Sequence, residues 1–329
     1  MKLAIIGSGK IVEEALGVVS AMPAYELVAI WAREHSRARA EALADTCHIR
    51  AVYTDYAALL REVACDAVYI GLVNSAHYAY ARQALEAGKN VIVEKPFAVT
   101  MAEYHELRRL AEENHLYLIE AVTPLHTPNF RAMLDVLPQL GQIRAVTANY
   151  SQYSSRYDRY VQHEVLPAFD PAFAGGALYD INIYNLNVII GLFGGPRTVT
   201  YFPNYGWNGI DTSGVAVLRY DSFTATSLGA KDSESPCLLQ VQGDKGWLRV
   251  NGAPNELRSF TYCLHGGEPQ TVDKNPKGHR MISEFEDFAR IWAEHDDAAI
   301  QHYLDISGYV MKTAYRARIG AGIYFPADQ

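Results

Sequence analysis

The sequence predicts an α/β fold with a doubly wound parallel sheet first and a second α/β domain with a large, mainly antiparallel open sheet after it. Short apolar runs alternate with amphipathic helical patterns up to residue 121, as in successive βαβ units. A Thr- and Pro-containing break at residues 123–128 interrupts that alternation. Beyond it, short strand patterns follow one another with turns between them. We therefore expect two domains, residues 1–121 and residues 122–329.

The composition is that of a globular chain long enough for two domains. The 329 residues are 49% hydrophobic and 20% charged, and the formal net charge of −8 disfavours a nucleic-acid-binding surface. No apolar run approaches membrane-spanning length, and a strand pattern begins at Lys2, which leaves no room for a targeting segment. We expect a cytoplasmic protein with neither nucleic-acid nor membrane partners.

The cysteines predict reduced thiols and no metal site. They form no CxxC pair and no cluster with histidines. Their positions are Cys47, Cys65, Cys237 and Cys263.

The first strand pattern, residues 3–6, leads into a glycine turn and a helical pattern that reaches residue 19. Gly7 permits a tight turn, and Gly9 lets a pyrophosphate approach the N–H groups at the helix start. Val12 occupies the usual position of a third glycine. A simple strand–helix turn is the alternative to a phosphate-binding turn. The predicted cofactor-binding residues of this turn are Gly7, Ser8, Gly9, Lys10 and Ile11.

The end of the second strand pattern, residues 26–31, favours NADP(H) over NAD(H). An NAD-preferring site usually places an acid there to bind the ribose 2′-hydroxyl. This chain has Ala32 and Arg33 instead, with Arg37 a turn further on, and a guanidinium group suits a 2′-phosphate. The alternative is that both arginines are solvated surface charges.

The remaining patterns of the first domain continue the alternation. Thr100 and Glu103 predict a capping box for a helix that reaches about residue 114. The other predicted helices cover residues 36–44, 55–63 and 76–87, and the other predicted strands cover residues 66–72, 90–94 and 116–120.

The stretch at residues 90–97 carries a β-branched strand directly into Glu94, Lys95 and a proline. Ligands of open α/β sheets bind outside the carboxyl ends of the strands, so a lysine there is placed to act on a ligand. Asn74 and His77 follow the preceding strand and belong to the same edge. A surface lysine and an ordinary helix N-terminal histidine are the alternatives.

The second domain begins with a helix near residues 129–137 and a strand at 143–150. The aperiodic segment 151–170, rich in Tyr, Arg and Ser, suits a substrate-facing loop. Further strands are predicted at residues 198–203, 214–220, 223–228, 237–242 and 246–251, and helices at 282–294 and 300–318.

The sequence GGALYDINIY at residues 175–184 predicts a helix entered through paired glycines. Spacing of four residues places Gly176, Asp180 and Tyr184 on one helical face. This polar stripe indicates a site, whereas core or surface filling is the alternative.

In order along the chain, the strand followed by GSGKIV, the EKP sequence and GGALYDINIY together resemble the Gfo/Idh/MocA oxidoreductase family. The resemblance covers most of the chain. It implies a Rossmann domain and an α/β domain whose open sheet often mediates dimerisation, so a homodimer or a dimer of dimers is expected. It also implies hydride transfer between a nicotinamide and a hydroxyl-bearing carbon of a small sugar, polyol or diol.

The same resemblance implies roles for three residues. Lys95 matches the EKP lysine that contacts the reacting hydroxyl, and Asp180 matches the helix acid that contacts substrate or orients the site. Tyr184 stands where many members have histidine. This resembles the branch with glucose–fructose oxidoreductase, dimeric dihydrodiol dehydrogenase and NADP-linked xylose dehydrogenase, and agrees with NADP(H). Val12 and Asn182 depart from the family pattern, which usually has small residues there.

Alcohol oxidation requires a proton acceptor, and a tyrosine near neutral pH needs help because its reference pKa is near 10. We predict Tyr184 as the acid/base, Lys95 as the cation that favours the phenolate and holds the substrate oxygen, and Asp180 as a partner of a second hydroxyl or of Lys95. Lys95 as the base stays an alternative.

Two other functions remain possible on the sequence alone: an NADP(H)-binding sensor without turnover, and an enzyme whose tightly held cofactor shuttles between two sugars. Four further residues are candidates for the substrate pocket, although a structural or solvated role is favoured for each. They are His126, Arg156, Arg159 and His163.

Overall fold

The computed structural model describes residues 1–329, which divide into two compact units. The first unit comprises Met1–Ala121 and Phe285–Asp305, and the second comprises Val122–Glu284 and Ile306–Gln329. The division after Ala121 lies at the expected boundary. The segment Phe285–Asp305 differs from the expectation, because it belongs to the first unit.

Long-range hydrogen bonds explain why this late segment joins the first unit. Tyr104 Oη donates to the carbonyl of Leu304 at 2.9 Å, although 200 residues separate them. The Arg108 guanidinium pairs with Asp305 at 2.7 Å. Such partners lie too far apart along the chain for a local sequence pattern to reveal them.

The first unit is built on a six-stranded parallel sheet, so the predicted doubly wound sheet is confirmed. The strands are β1 (Lys2–Ile6), β2 (Glu26–Trp31), β3 (Val52–Tyr53), β4 (Ala67–Ile70), β5 (Asn90–Glu94) and β6 (Leu118–Ala121). Their order, β3-β2-β1-β4-β5-β6, reverses direction between β1 and β4. This reversal is the switch point at which open α/β sheets bind ligands.

The helices of the first unit lie close to their predicted positions. Thr100 and Glu103 form the predicted capping box, in which the Thr100 side chain accepts from the Glu103 N–H. Gly88, with φ +72°, follows the fourth helix. The helices are α1 (Lys10–Val19), α2 (Arg37–Cys47), α3 (Tyr56–Glu62), α4 (His77–Glu86) and α5 (Met101–Glu113).

The second unit is built on an eight-stranded open sheet in which only the β7–β10 pair is parallel, so the predicted mainly antiparallel sheet is confirmed. The strand order is β14-β13-β12-β11-β7-β10-β9-β8. The last two strands in sequence were not predicted. The strands are β7 (Ile143–Ser151), β8 (Thr198–Tyr205), β9 (Asp211–Arg219), β10 (Thr224–Ala230), β11 (Leu238–Gly243), β12 (Gly246–Asn251), β13 (Phe260–Leu264) and β14 (Gln270–Val272).

Helices accompany this second sheet. A short helix interrupts the segment 151–170 that the sequence predicts as a loop. The last two helices each contribute residues to both units. The helices are α6 (Pro128–Val136), α7 (Tyr157–Val161), α8 (Ile183–Phe193), α9 (Ile282–Glu294) and α10 (Asp297–Gly320). None of the helices in the chain combines the length and apolar character needed to cross a membrane.

Candidate active site

The glycine turn lies at the carboxyl end of β1, at the switch point of the first sheet. Gly7 has φ +122°, and a Cβ there would lie 2.5 Å from the carbonyl oxygen of Gly71, so only glycine fits. Nothing lies within 4 Å of the place a Cβ would take at Gly9, and no side chain caps α1. The turn therefore offers open space at an uncapped helix start, which suits a pyrophosphate.

The other predicted residues of this turn differ in exposure. Ser8 is buried and Ile11 is half-buried. Lys10 is exposed, with its Nζ 3.9 Å from Glu14 Oε1.

Val12 can occupy the third position of the turn because the residue that it packs against, Gly71, has no side chain. Val12 is fully buried, and a Cβ placed on Gly71 would lie 2.6 Å from Val12 Cγ2. Close helix–strand packing is thus achieved with the small residue after β4 instead of on α1. The compensating glycine is 59 positions from Val12 (71 minus 12), so the turn motif itself does not show it.

The two arginines after β2 differ in their surroundings. Arg33 is exposed, and its guanidinium makes no hydrogen bond or ion pair. Arg37 pairs with Glu41 at 2.9 Å and lies 3.9 Å from Glu34. Ala32 is buried at the end of the strand. Arg33 is therefore the arginine available to an incoming anion, whereas Arg37 already has two carboxylate neighbours.

Lys95 follows β5 and is half-buried, and the Lys95–Pro96 peptide bond is cis. Glu94, the last residue of the strand, is buried and accepts a 2.7 Å hydrogen bond from Tyr69 Oη. Asn74 begins a 3-10 turn after β4 and is half-buried. The first sheet thus brings Asn74, Glu94 and Lys95 to its carboxyl edge, as predicted from their positions after the strands.

His77 is buried completely, which differs from the expected cofactor contact. Its Nδ1 lies 2.8 Å from the carbonyl oxygen of Pro96, and its Nε2 lies 3.1 Å from that of Leu72. Burial lowers the pKa of the imidazole, so the neutral form is favoured and only one nitrogen donates. We therefore assign His77 to holding the segment after β4 against the Lys95–Pro96 turn.

The start of the GGALYDINIY helix differs from the predicted α-helical face. Leu178–Asn182 forms a π-helical turn, and α8 begins only at Ile183. Gly176 lies before the helix with φ +100°, where a Cβ would collide with the Asp211 carboxylate. The prediction that Gly176 shares one helical face with Asp180 and Tyr184 is wrong. Single π-helical turns are rare overall and frequent at functional sites.

Asp211 supports this turn and was missed by the sequence analysis. Its Oδ2 accepts 2.7 Å hydrogen bonds from the Leu178 N–H and from Tyr201 Oη. Burial raises the pKa of Asp211 to about 6, and these hydrogen bonds oppose the rise. Only the long-range pairing shows this role.

Asp180 is held by a second residue that the sequence analysis missed. Lys231 Nζ lies 2.5 Å from Asp180 Oδ2, and the Lys231 side chain is 4% exposed against 34% for Asp180. The lysine follows β10 directly and would be taken from sequence for a solvated turn residue. Asp180 therefore presents a partly exposed carboxylate with one oxygen fixed from behind.

Asn182 replaces the small residue of the family pattern by bonding to the sheet. It is fully buried, its Nδ2 donates to the Ser227 carbonyl at 3.0 Å, and its Oδ1 accepts from Ser227 Oγ at 2.6 Å. A Cβ on Gly229 would lie 2.6 Å from Asn182 Cβ. The departure is again matched by a glycine on the facing strand.

Tyr184 lies in the first turn of α8, is 8% exposed, and has its ring 5.9 Å from that of Tyr150.

The further pocket candidates have varied surroundings: His126 is buried, Arg159 pairs with Glu164, and His163 packs on Trp207. Arg156 is exposed. Their roles stay predictions.

The first unit has the fold and the glycine turn of dinucleotide-binding proteins. Residues 1–121 match a sequence profile described as "Oxidoreductase family, NAD-binding Rossmann fold", and residues 138–249 match the Gfo/Idh/MocA C-terminal domain. The chain belongs to the Gfo/Idh/MocA oxidoreductase family, and the predicted resemblance is confirmed.

Two relatives align over the whole chain, and a third aligns over most of it. An uncharacterized oxidoreductase of Escherichia coli K12, YgjR, is 32% identical over 100% of this chain and 98% of its own. The NADP(+)-dependent scyllo-inositol 2-dehydrogenase IolU of Bacillus subtilis is 31% identical over 100% and 99%. An NADP(+)-dependent D-xylose 1-dehydrogenase of Haloferax volcanii is 31% identical over 82% and 85%.

Solved structures share the fold. The 3-ketoreductase KijD10 of Actinomadura kijaniata, in complex with NADP and TDP-benzene, superimposes with a TM-score of 0.84 at 23% identity over 99% of each chain. The biliverdin reductase of Synechocystis, in complex with biliverdin and NADP+, gives 0.79 at 20% identity over 98% and 99%. These likenesses show the two-unit fold.

Proposed function

We propose that the protein is an NADP(H)-dependent oxidoreductase that transfers hydride between the nicotinamide and a hydroxyl-bearing carbon of a small sugar, polyol or diol. The observation that carries the proposal is the carboxyl edge of the first sheet. There, the open glycine turn after β1, the unpaired Arg33 after β2 and Lys95 after β5 all follow strands of the same parallel sheet.

The residues of this edge fit an NADP dinucleotide. The space beside Gly9 and the uncapped start of α1 suit the pyrophosphate, whose charge the helix dipole favours. An exposed guanidinium without an acidic partner suits the 2′-phosphate, to which arginine binds in bidentate fashion. When bound, the dinucleotide supplies the hydride acceptor or donor. Asn74 and Glu94 are proposed to line the nicotinamide side.

The proton chemistry is assigned to Tyr184 and Lys95. In the oxidative direction, Tyr184 takes the hydroxyl proton while the carbon loses hydride, and Lys95 holds the substrate oxygen. A lysine cation near a phenol favours the phenolate and so makes tyrosine an effective base near neutral pH. Asp180 binds a second hydroxyl of the substrate through its partly exposed carboxylate. This role suits a polyhydroxylated substrate, because a carboxylate accepts hydrogen bonds only.

The names of the relatives support the same substrate class. Scyllo-inositol and D-xylose, named for two relatives, both carry several neighbouring hydroxyl groups. Trans-1,2-dihydrobenzene-1,2-diol, named for another relative that is 30% identical over 78% of this chain, is a vicinal diol.

The proposal is tested by incubating the purified protein with NADP+ and each of these three compounds while NADPH formation is followed. We expect turnover of at least one compound, and loss of that turnover in Lys95→Met. Binding of NADPH without turnover of any compound, or of further polyols, would favour the alternative of a cofactor-binding sensor.

We also propose that the open sheet forms a homodimer, or a dimer of dimers. Phe202, Val215, Leu228, Asn149 and Leu238 pair across five adjacent strands in one row. Phe202 is 61% exposed and the other four are half-buried. The residues on either side of Val215 in β9, Gly214 and Ala216, are buried. A mostly apolar row of this kind suits a second copy of the same sheet. Light scattering on the eluted protein should show twice or four times the chain mass, and a monomer that persists at high concentration would contradict the proposal.

A cytoplasmic location is proposed on the state of the thiols. All four cysteines are free, and burial raises the pKa of Cys65, which disfavours its thiolate. Recovery of the native protein in an oxidising compartment would contradict this location.

A further inference from the structure

Lys231 is a buried cation whose ammonium group points at one carboxylate. Its Nζ donates to Asp180 Oδ2 at 2.5 Å and to the carbonyl oxygen of Ala168 at 2.6 Å. The same atom lies 4.4 Å from the ring centroid of Phe169. Burying a lysine is costly unless its charge is paired and its donors are used, and these three neighbours meet that need.

The surroundings of Lys231 are closely packed. Phe169 is fully buried and stacks on Tyr160 at 4.8 Å, and the Tyr160 ring stacks on Trp207 at 5.4 Å. The backbone N–H of Lys231 donates to the carbonyl of Thr212, and the carbonyl of Lys231 accepts from the N–H of Ser154, at 2.9 Å each. The ammonium group is therefore a fixed point, because both its stem and its aromatic neighbour are anchored.

The carboxylate that it holds lies in the π-helical turn Leu178–Asn182. Hydrogen bonds tie the beginning and the end of that turn to the sheet through Asp211 and Ser227. Asp180 lies between the two hydrogen-bonded residues, Leu178 and Asn182. Both of these are buried, whereas the Asp180 side chain is 34% exposed. The bond to Lys231 restricts the orientations of this partly exposed carboxylate, and such restriction is how a binding group is held in a productive position.

We infer that Lys231 is a positioning residue for catalysis, which orients the partly exposed Asp180 carboxylate toward a hydroxyl group of the substrate. Lys231 itself does not touch the substrate. The inference rests on the role proposed for Asp180. It assigns the orientation of that carboxylate to a lysine 51 residues away in the sequence.

The experiment is a kinetic double-mutant cycle with the substrate that the wild-type enzyme turns over fastest with NADP+. Its variants are Asp180→Ala, Lys231→Met and the double variant. Methionine matches the length of the lysine stem, and it leaves the Asp180 carboxylate without its cation and the Ala168 carbonyl without a donor. We expect Lys231→Met to lower kcat/KM about ten- to hundredfold with the dissociation constant of NADPH unchanged, because small misplacements of a substrate-binding group have effects of this size.

The cycle separates positioning from general stabilisation. If Lys231 acts through Asp180, Lys231→Met has little further effect once Asp180 is alanine. Equal losses in both backgrounds would overturn the inference, because they would show an effect that does not pass through Asp180. Arg197→Met, at an exposed ion pair with Asp221, is the control for removing a cation and should keep wild-type kinetics.

The outcomes distinguish this inference from the proposed function. A normal Asp180→Ala enzyme would overturn both the role of Asp180 and the inference. A defective Asp180→Ala enzyme with a normal Lys231→Met enzyme would overturn the inference alone. If no compound is turned over, crystal structures of the wild type and Lys231→Met decide: displacement of the Asp180 carboxylate by about 1 Å or more supports the inference, and an unmoved carboxylate overturns it.

Discussion

Val12 and Gly71 share one space in the first unit: a Cβ on Gly71 would lie 2.6 Å from Val12 Cγ2. The glycine turn therefore keeps its close helix–strand contact without a third glycine. The family pattern places the small residue on the helix, whereas this chain has the large residue there and the small one, Gly71, after β4.

Gly71→Ala should lower the free energy of unfolding by about 1–3 kcal/mol, because the added methyl group overpacks a buried contact. Adding Val12→Ala should restore part of the loss by making room. Gly17→Ala is the matched control, since nothing lies within 4 Å of the place its Cβ would take. Urea unfolding measures all four proteins. Equal stability of Gly71→Ala and the wild type would show that the contact adjusts freely.

Arg33→Ala should weaken NADPH binding about ten- to hundredfold and leave NADH binding unchanged, because it removes charge-assisted hydrogen bonds to the 2′-phosphate only. Arg37→Ala is the control, since Arg37 already pairs with Glu41. Isothermal titration of both variants checks this. An equal loss for NADPH and NADH in Arg33→Ala would rule out its role as the selector.

Tyr184→Phe should lower turnover about a hundredfold or more, because the variant keeps the ring and loses the group that exchanges the proton. The affinity for NADPH should be kept. Tyr150→Phe tests a neighbouring tyrosine of similar burial and should retain turnover within about threefold. Steady-state rates give the comparison, and a near-wild-type Tyr184→Phe enzyme would remove Tyr184 from the mechanism.

Asp211 should make the free energy of unfolding fall as the pH rises, whereas a carboxylate whose pKa is lowered by folding has the opposite effect. Burial raises its pKa from 3.8 to about 6 in the folded protein, so between these values the folded state binds more protons than the unfolded state. The stability that this group contributes is therefore fully present below pH ~4 and is lost as the pH rises through about 6.

Asp211→Asn removes that dependence while keeping an oxygen that accepts hydrogen bonds. The difference in unfolding free energy between wild type and variant should change by about 3 kcal/mol from pH ~4 to pH ~7, in favour of the wild type at the acidic end. Denaturant unfolding at the two pH values measures it. A difference that stays constant with pH would show that Asp211 does not titrate in this range.

Local patterns predicted most of the helices and strands but not the distant residues that contact them. Alternating apolar runs predicted the parallel sheet, and the capping box at Thr100 and Glu103 formed as expected. The strand β3 was missed because Val52 and Tyr53 are only two residues and carry no period. The strands β13 and β14 were also missed.

The candidate site shows the same contrast between residues in local motifs and residues that act from a distance in the sequence. Lys95, Asp180 and Tyr184 were recognisable because each lies in a short motif with a family resemblance. Lys231 and Asp211 were not, because each acts on the turn Leu178–Asn182 from 33 or more residues away. Helical spacing alone also could not show that this turn is π-helical, since a spacing of four residues does not separate an α-helical turn from a π-helical one.

The central claim is that the edge with the glycine turn and Arg33 binds NADP(H), and a titration of the purified protein with NADPH and, separately, NADH tests it most directly. Cofactor and intrinsic fluorescence report binding. We predict tight binding of NADPH and binding of NADH at least tenfold weaker, a difference of about 1.4 kcal/mol or more. Preference for NADH would contradict the role of Arg33, and binding of neither would contradict the account as a whole.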